Sequence, residues 1–332
     1  VKVAIVILNW NGKQLLETFL PLVVAHSSEE AAIFVADNDS TDDSVSYVRA
    51  HFPSVDIIKM KENKGYAGGY NEALKHVEAD IFVLMNSDIA TTEGWLTPIV
   101  RYFKNHPKTG ILQPKLLDYK RKSHFEYAGA AGGFIDRLGY PFCRGRVFNE
   151  LEADQGQYDD EADIFWASGA CLCIRRDVFW QLGGLDEDFF AHQEEIDLCW
   201  RAHKAGFEVK YIGESCVYHV GGATLSSMSP QKTFYNFRNT LLALLKNAPK
   251  RFVPFLVLTR LFLDGVAGLK FIGEGKFIHT WAILRAHASF YKLAVKMMKK
   301  RQETPTYKPY YKTQSIVFLH FVLGKKHFDE IS

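Results

Sequence analysis

Three clusters of acidic and amide side chains have the types and spacing to do chemistry together. Asn86-Ser87-Asp88 closes the apolar run Ile81–Met85, and Asp37-Asn38-Asp39-Ser40-Thr41-Asp42 closes the run Ala32–Ala36. Glu194-Glu195 opens a helical stretch with Asp197 two residues further on. A carboxylate emerging from a strand end either hydrogen-bonds a base or sugar or holds a hard cation. At Asp88 such a cation could bridge a diphosphate and neutralise a leaving group. Adjacent carboxylates repel, which raises one pKa toward the range a general base needs. The plain alternatives are a turn or helix cap for Asp88 and an acidic helix N-terminus for the glutamates.

A fourth segment, Asn63-Lys64-Gly65-Tyr66-Ala67-Gly68-Gly69-Tyr70-Asn71, is glycine-rich and precedes a helix. Glycines there let backbone N–H groups approach a ligand. The spacing is not Gly-x-Gly-x-x-Gly, and Asn9-Trp10-Asn11-Gly12 stands after the first strand instead. That argues against a nicotinamide-dependent oxidoreductase.

The elements positioning these groups follow from hydrophobic periodicity. Val3–Leu8, Ala32–Ala36, Val55–Met60 and Ile81–Met85 are short buried-strand patterns. Gln14–Val24, Asp43–His51 and Gly69–Val77 between them carry helical spacing. Such alternation predicts a mostly parallel sheet with helices on both faces and ligands beyond the carboxyl ends of its strands. Residues 110–165 read as short strands and a mobile loop at Asp154–Asp163. Gln231–Lys246, Arg251–Ile272 and Lys276–Arg301 read as three helices. Arg260 and Asp264 interrupt the middle one, which suits a helix lying in an interface rather than crossing it.

Composition fits a globular protein: 47% of the 332 residues are hydrophobic and 23% charged. The net charge of +2 conceals an asymmetry, because residues 232–332 hold 18 Lys and Arg against 5 Asp and Glu. A basic C-terminal third predicts a polyanionic partner. Lys296, Lys299, Lys300 and Arg301 form its densest cluster, and no nucleic-acid motif accompanies the charge. Five cysteines, with Cys171-x-Cys173 lacking zinc-type companions, read as buried thiols of a reduced, cytoplasmic protein. The opening Val1–Val6 reads as a strand and not as a signal peptide.

Taken in order, these segments resemble the inverting glycosyltransferases of family 2, particularly the bacterial rhamnosyltransferase-like branch. The resemblance runs from residue 2 to about 246 and continues through Ser168-Gly169-Ala170, Gly183-Gly184-Leu185-Asp186-Glu187, Glu194–Arg201 and Tyr218-His219. It implies an α/β GT-A fold, a Rossmann-like nucleotide-binding sheet flanked by helices. The catalytic domain would span residues 1–225 and a basic helical extension residues 226–332. Asp37 would accept a hydrogen bond from the donor nucleobase, with Asn9, Asn11 and Asp39 on the same rim. Asn63 and Gly65 would line the nucleotide pocket, with Asn71 nearby. Asn86-Ser87-Asp88 stands where the family has Asp-x-Asp, so Asp88 would be the main ligand of Mg²⁺ or Mn²⁺ and Asn86 a donor contact. His219 would add a second metal ligand, an imidazole suiting Mn²⁺ better. Glu195 falls at the catalytic-base position, with Glu194 an open alternative, and Trp166, Gly169 and Asp197 would face the acceptor. Arg238 of Tyr235-x-x-Arg238-Asn239 would either meet a phosphate or lie on a helix surface.

The implied partners are a nucleotide-diphosphate sugar, a glycan or lipid-linked glycan, and an anionic membrane surface met through the C-terminal region. The implied location is the cytoplasm, peripheral to the inner face of the cell membrane. The Gln-x-x-Arg-Trp motif of processive synthases is missing, which implies addition of single sugars. The rival from another class is a catalytically silent nucleotide- or carbohydrate-binding module, since the first Asp of Asp-x-Asp is replaced.

Overall fold

The computed structural model describes residues 1–221, 229–302 and 309–331. The expected domain boundary at 225/226 lies outside them. The chain opens with β1 (Val3–Asn9), α1 (Lys13–Ser27), β2 (Ala32–Asp37), α2 (Ser44–His51), β3 (Asp56–Lys59), α3 (Gly65–Ala73) and β4 (Ile81–Asn86). Branched, apolar residues fill β1 and β4, which are buried along nearly their whole length. These four strands pair in parallel in the order β3-β2-β1-β4. Their carboxyl ends, at Asn9, Asp37 and Asn86, therefore open on one rim.

Beyond β4 the sheet turns mixed. β5 (Ile89–Thr91), α4 (Leu96–Asn105) and β6 (Thr109–Asp118) lead to a small meander of β7 (Gly133–Ile135), β8 (Pro141–Cys143), β9 (Arg146–Val147) and β10 (Glu150–Leu151). Then follow β11 (Glu161–Asp163), β12 (Cys171–Arg175), α5 (Arg176–Gln181), α6 (Glu194–Lys204) and β13 (Glu208–His219). Antiparallel β12 sits between β4 and β6, and β13 runs parallel to β6 while meeting β5 and β11 in antiparallel pairing. The parallel expectation thus describes the N-terminal half of the sheet. Hydrophobic clusters cover both faces, one around Tyr70, Phe82 and Trp200, the other around Ile5, Trp95 and Phe103. Cys171 and Cys173 are buried free thiols in β12.

The segment Asp154–Asp163, expected to be mobile, is fastened by ion pairs. Lys115 holds Asp154 at 3.0 Å and also binds Asp159, Arg144 holds Asp160 at 2.7 Å, and Lys210 holds Asp163 at 2.9 Å.

The C-terminal part comprises α7 (Pro230–Asn247), α8 (Val253–Gly273), α9 (Phe277–Lys299) and α10 (Ile316–Phe321). The first three match the expected helices closely. Leu244, Ala248 and Leu256 join the same core as the sheet, so this part packs into the body. The chain then returns to β7, where Asp136 accepts a hydrogen bond from the Ile316 N–H at 2.9 Å. Arg260 and Asp264 are buried rather than exposed at an interface. The Arg260 guanidinium donates to the Leu138 carbonyl at 2.9 Å and stacks on Tyr140, and Asp264 lies 3.1 Å from His287 of α9.

Candidate active site

The rim loops are laced together by their own amides. Asn11, at φ +50°, accepts hydrogen bonds from the Thr41 and Asp42 N–H groups at 2.7 and 3.3 Å, tying the loop after β1 to the loop after β2. Asn38 donates to Asn63 Oδ1 and to the Gly65 carbonyl, both at 3.0 Å, and accepts from the Lys64 N–H. Asp39, at φ +64°, projects from this frame as an exposed carboxylate, and Trp10 presents an indole that is 50% exposed.

One corner of the site is built by pairing β5 with β13. The register sets His219 opposite Ile89, which brings the imidazole beside Asp88, one residue earlier. His219 Nε2 lies 3.1 Å from Asp88 Oδ1, and Nδ1 lies 3.3 Å from Glu126 Oε1. All three residues are buried. Glu126 is delivered by the chain after β6, its N–H donating to Leu116 and its carboxylate accepting from the Ala128 N–H at 2.6 Å. Burial alone would push the imidazole down, but the Glu126 and Asp88 carboxylates overcome it and hold it up at about 10.

This donor set fits a divalent cation. A carboxylate and an imidazole Nε2 face one point, and a cation there would take the place of the proton that Asp88 and Glu126 hold on the imidazole. Mn²⁺ accepts both donors, and Mg²⁺ needs only one or two carboxylates once phosphate oxygens are present. Among the described residues no group of three or more His, Cys, Asp or Glu side chains could hold a metal. The protein would therefore supply Asp88 and His219, and a bound diphosphate the remainder.

The second corner is the N-terminus of α6. Glu194 is 4% exposed and its Oε2 lacks a hydrogen-bond partner. Burial, then the neighbouring Glu195 charge, pushes its carboxyl well up. Glu195 is only partly buried, so it is the member that reaches solvent. Burial raises it to about 7, against the N–H groups of the helix start. A carboxyl poised there is a competent proton acceptor.

The loop before α6 is strained, with Phe190, His192 and Gln193 at φ +66°, +67° and +75°. Such backbone persists only when its surroundings hold it. Asn239 donates its amide to the carbonyls of Phe189, Ala191 and His192 at 3.0, 2.9 and 2.7 Å. Arg238 donates to Asp188 and Phe189 carbonyls at 3.1 and 2.8 Å. Phe190 O accepts from the Tyr66 N–H at 3.0 Å. Lys246 and Lys300 clamp Asp186, and Lys296 and Lys300 clamp Asp188.

Residues 167–171 connect the two corners. Asn86 N–H donates to the Ala170 carbonyl at 2.9 Å, Tyr66 O–H donates to Gly169 at 2.5 Å, and Ala167 N–H meets Cys199 Sγ of α6 at 3.4 Å. Tyr66 is raised first by burial, then by neighbours that include Glu194 and Glu195.

Several expected contact residues are instead internal supports. Asn9 is fully buried, donating to Ser44 Oγ at 2.9 Å and to Asp37 at 3.3 Å. Asp37 is likewise covered, accepting also from the Ser40 N–H. Asn71 clasps the turn before the strained loop, donating to Leu185 O and accepting from its N–H. Gly65, at φ +68°, is pressed against Phe190, whose ring would lie 2.8 Å from an added Cβ. Trp166 is a core residue donating to Phe134 O at 2.9 Å. Asp197 is fully buried between Arg201, Lys246 and Asn247, and the first two cations hold its carboxyl well below the usual range against the effect of burial. Arg238 grips the loop rather than a phosphate. Lys296 and Lys300 are tied to Asp186 and Asp188 of the body, Lys296 from an exposed position, and Arg301 donates to Ala248 O at 2.7 Å.

Glu126, Trp10 and Asn239 emerge as unexpected members. Glu126 lies in a glycine-rich stretch without local signal. Trp10, an aromatic inside a polar strand-end loop, was the more readable clue.

Comparison with known proteins was consistent with this geometry. The family model described as "Glycosyl transferase family 2" matches residues 4–183. The N-acetylglucosaminyl-diphospho-decaprenol L-rhamnosyltransferase of Mycobacterium tuberculosis is 26% identical over 222 residues, 61% of this chain and 71% of that protein. The structure of GalNAc-T7 with UDP, GalNAc and Mn²⁺ superposes with a TM-score of 0.58 at 13% identity, covering 74% of this chain and 48% of that one. The mannosyltransferase PcManGT from Pyrobaculum calidifontis, in complex with GDP-Man and Mn²⁺, gives 0.52 at 17% identity over 89% and 75% of the two chains. Both likenesses identify the fold as GT-A.

Proposed function

Because this chain belongs to glycosyl transferase family 2, and is thus a glycosyltransferase, we propose that it moves one sugar with inversion from a nucleotide-diphosphate donor to a hydroxyl of a lipid-linked glycan. Rhamnose is the proposed sugar, on the strength of the mycobacterial relative's named activity. The protein would work from the inner face of the cell membrane during surface-polysaccharide assembly, without nucleic acid.

The observation that carries this reading is the pairing of two unlike corners. One is an Asp88–His219 site suited to a cation and diphosphate, the other a half-open Glu195 raised to about 7. Glu195 takes the proton of the acceptor hydroxyl as that oxygen bonds to the anomeric carbon. On the opposite face the bond from that carbon to the donor phosphate oxygen breaks, and the nucleoside diphosphate leaves with the electron pair. Asp88 and His219 would hold Mn²⁺ or Mg²⁺, whose charge stabilises that departing group when bound. Glu194, kept neutral by burial, lets Glu195 carry the pair's negative charge. Exposed Asp39 and Trp10 are the rim groups available to a nucleotide.

The test is release of nucleoside diphosphate from a panel of sugar donors with Mn²⁺, with Mg²⁺ and with chelator. Turnover of one donor, lost with chelator, is expected. Nucleotide binding indifferent to chelator and without turnover would instead identify a silent binding module.

A further inference from the structure

The outward faces of the C-terminal helices are inside-out for a surface in water. On α8 one stripe, Leu256, Arg260, Asp264 and Gly268, is buried. The opposite stripe is apolar and open, with Leu258 at 67%, Phe262 at 71% and Leu269 at 68% exposure. On α9, Ile278, Trp281 and Leu284 are also more than half exposed. α8 and α9 are fastened side by side, Thr280 donating to the Gly268 carbonyl at 2.9 Å and His287 meeting Asp264 at 3.1 Å. α10 extends the surface, its exposed Phe321 lying under Lys270 of α8 at 5.6 Å. Contiguous apolar surface of this extent marks an interaction site.

We infer that this three-helix face is a seat for an anionic lipid bilayer, entered by its apolar side chains to the depth of the headgroup boundary. The inference rests on the membrane location proposed above and replaces the Lys296–Arg301 cluster with a different contact. Charge selects the occupant. Between residues 253 and 302 the acidic residues are Asp264 and Glu274. Asp264 is buried, and Glu274 is matched by Lys276 at 2.7 Å and Lys270 at 3.9 Å. Nine Lys and Arg lie in the same span, among them Lys270, Arg285, Lys292 and Lys299. A second copy of the chain would bring like charges together, whereas anionic headgroups complement them. Trp281 and Tyr291 add amphipathic rings of the kind that settle at the headgroup level.

The segment Lys250–Gly273 is long and apolar enough to cross a membrane by length and composition. Its packing decides otherwise: the Arg260–Asp264 stripe is locked against the body, leaving one face free, as for a helix lying in the interface. α9 carries Lys296 and ends at Lys299, just before Lys300; Lys296 and Lys300 clamp the loop leading to Glu195. A protein seated this way holds its base loop beside the bilayer.

Flotation of the full chain with vesicles of phosphatidylcholine, with and without phosphatidylglycerol, tests this, using the wild type and the exposed-site double variant Leu258→Glu/Leu284→Glu. The wild type should float with phosphatidylglycerol vesicles and keep a measurable share of binding at 0.5 M NaCl, about the salt that screens surface charge within a few ångströms. The variant should lose binding at least about tenfold while keeping its melting temperature and its donor turnover in solution. Failure of the wild type to float, or equal binding by the variant, would overturn the inference. So would a wild-type dimer on size exclusion that the variant makes monomeric, since the occupant would then be a second copy. Donor turnover, measured in the same samples without lipid, reports on the transferase reading separately.

Discussion

Substituting Asn239 tests whether the strained approach to Glu195 is held from outside. Its amide donates to three carbonyls of a loop that contains three non-glycine residues at positive φ. Each such residue costs about 1 kcal/mol or more, and each hydrogen bond contributes about 1 kcal/mol net. Asn239 alone therefore supplies about 3 kcal/mol against a strain of similar size. Asn239→Asp retains the shape, removes the donors and sets a carboxylate against three carbonyls. The competent loop should lose about 2–3 kcal/mol, which is about 30- to 150-fold in population. In donor-release kinetics kcat should fall by that order. Donor affinity should stay within about twofold, because Asp39, Trp10 and Asp88 lie on other elements. A variant with unchanged kcat and a normal melting temperature would refute the reasoning that the loop depends on this grip. Equal losses in donor affinity and kcat would refute the separation of the two corners.

Three further outcomes are expected. The transfer rate at saturating donor should rise as pH increases through about 7 and then level, because Glu195 must be ionised to accept a proton and burial has raised its carboxyl to that value; a rate flat from pH 5.5 to 8.5 would count against it. Glu126→Gln should weaken Mn²⁺-dependent donor binding by about 10- to 100-fold, the usual effect of removing a carboxylate that orients a ligating imidazole, as read by calorimetry with and without chelator. Lys246→Met should cost about 3–5 kcal/mol in urea unfolding, since Asp186 and the fully buried Asp197 would lose their shared cation.

What the sequence conveyed best was where polar loops interrupt apolar runs. Asp88 was legible because the apolar run of β4 ends just before it, and the Glu194-Glu195 pair because it falls on a motif of the family the chain resembles. Which end of a polar side chain remains available was not legible. Asp37, Asn71 and Asp197 occupy motif positions, yet their side chains are hydrogen-bonded inside the frame, as is the Nδ2 of Asn9, and only the register of neighbouring loops decides that. Glu126 was hidden because its meeting with His219 depends on β13 lying beside β6, a pairing about 100 residues apart in sequence. The charges inside α8 were read as interruptions suiting a helix that lies in an interface. Arg260 and Asp264 stand on its inward stripe, where each neutralises the other within the body. The outward face is consequently more apolar than a linear reading suggests.

The central claim is a division of labour: Asp88 serves the cation and diphosphate, Glu195 the acceptor proton. The most direct measurement is donor binding and transfer side by side for the wild type, Asp88→Asn and Glu195→Gln in the presence of Mn²⁺. The account predicts that Asp88→Asn loses Mn²⁺-dependent donor binding, and that Glu195→Gln binds donor as the wild type does but transfers at least about 100-fold more slowly. Wild-type transfer by Glu195→Gln, or wild-type Mn²⁺-dependent binding by Asp88→Asn, would contradict it.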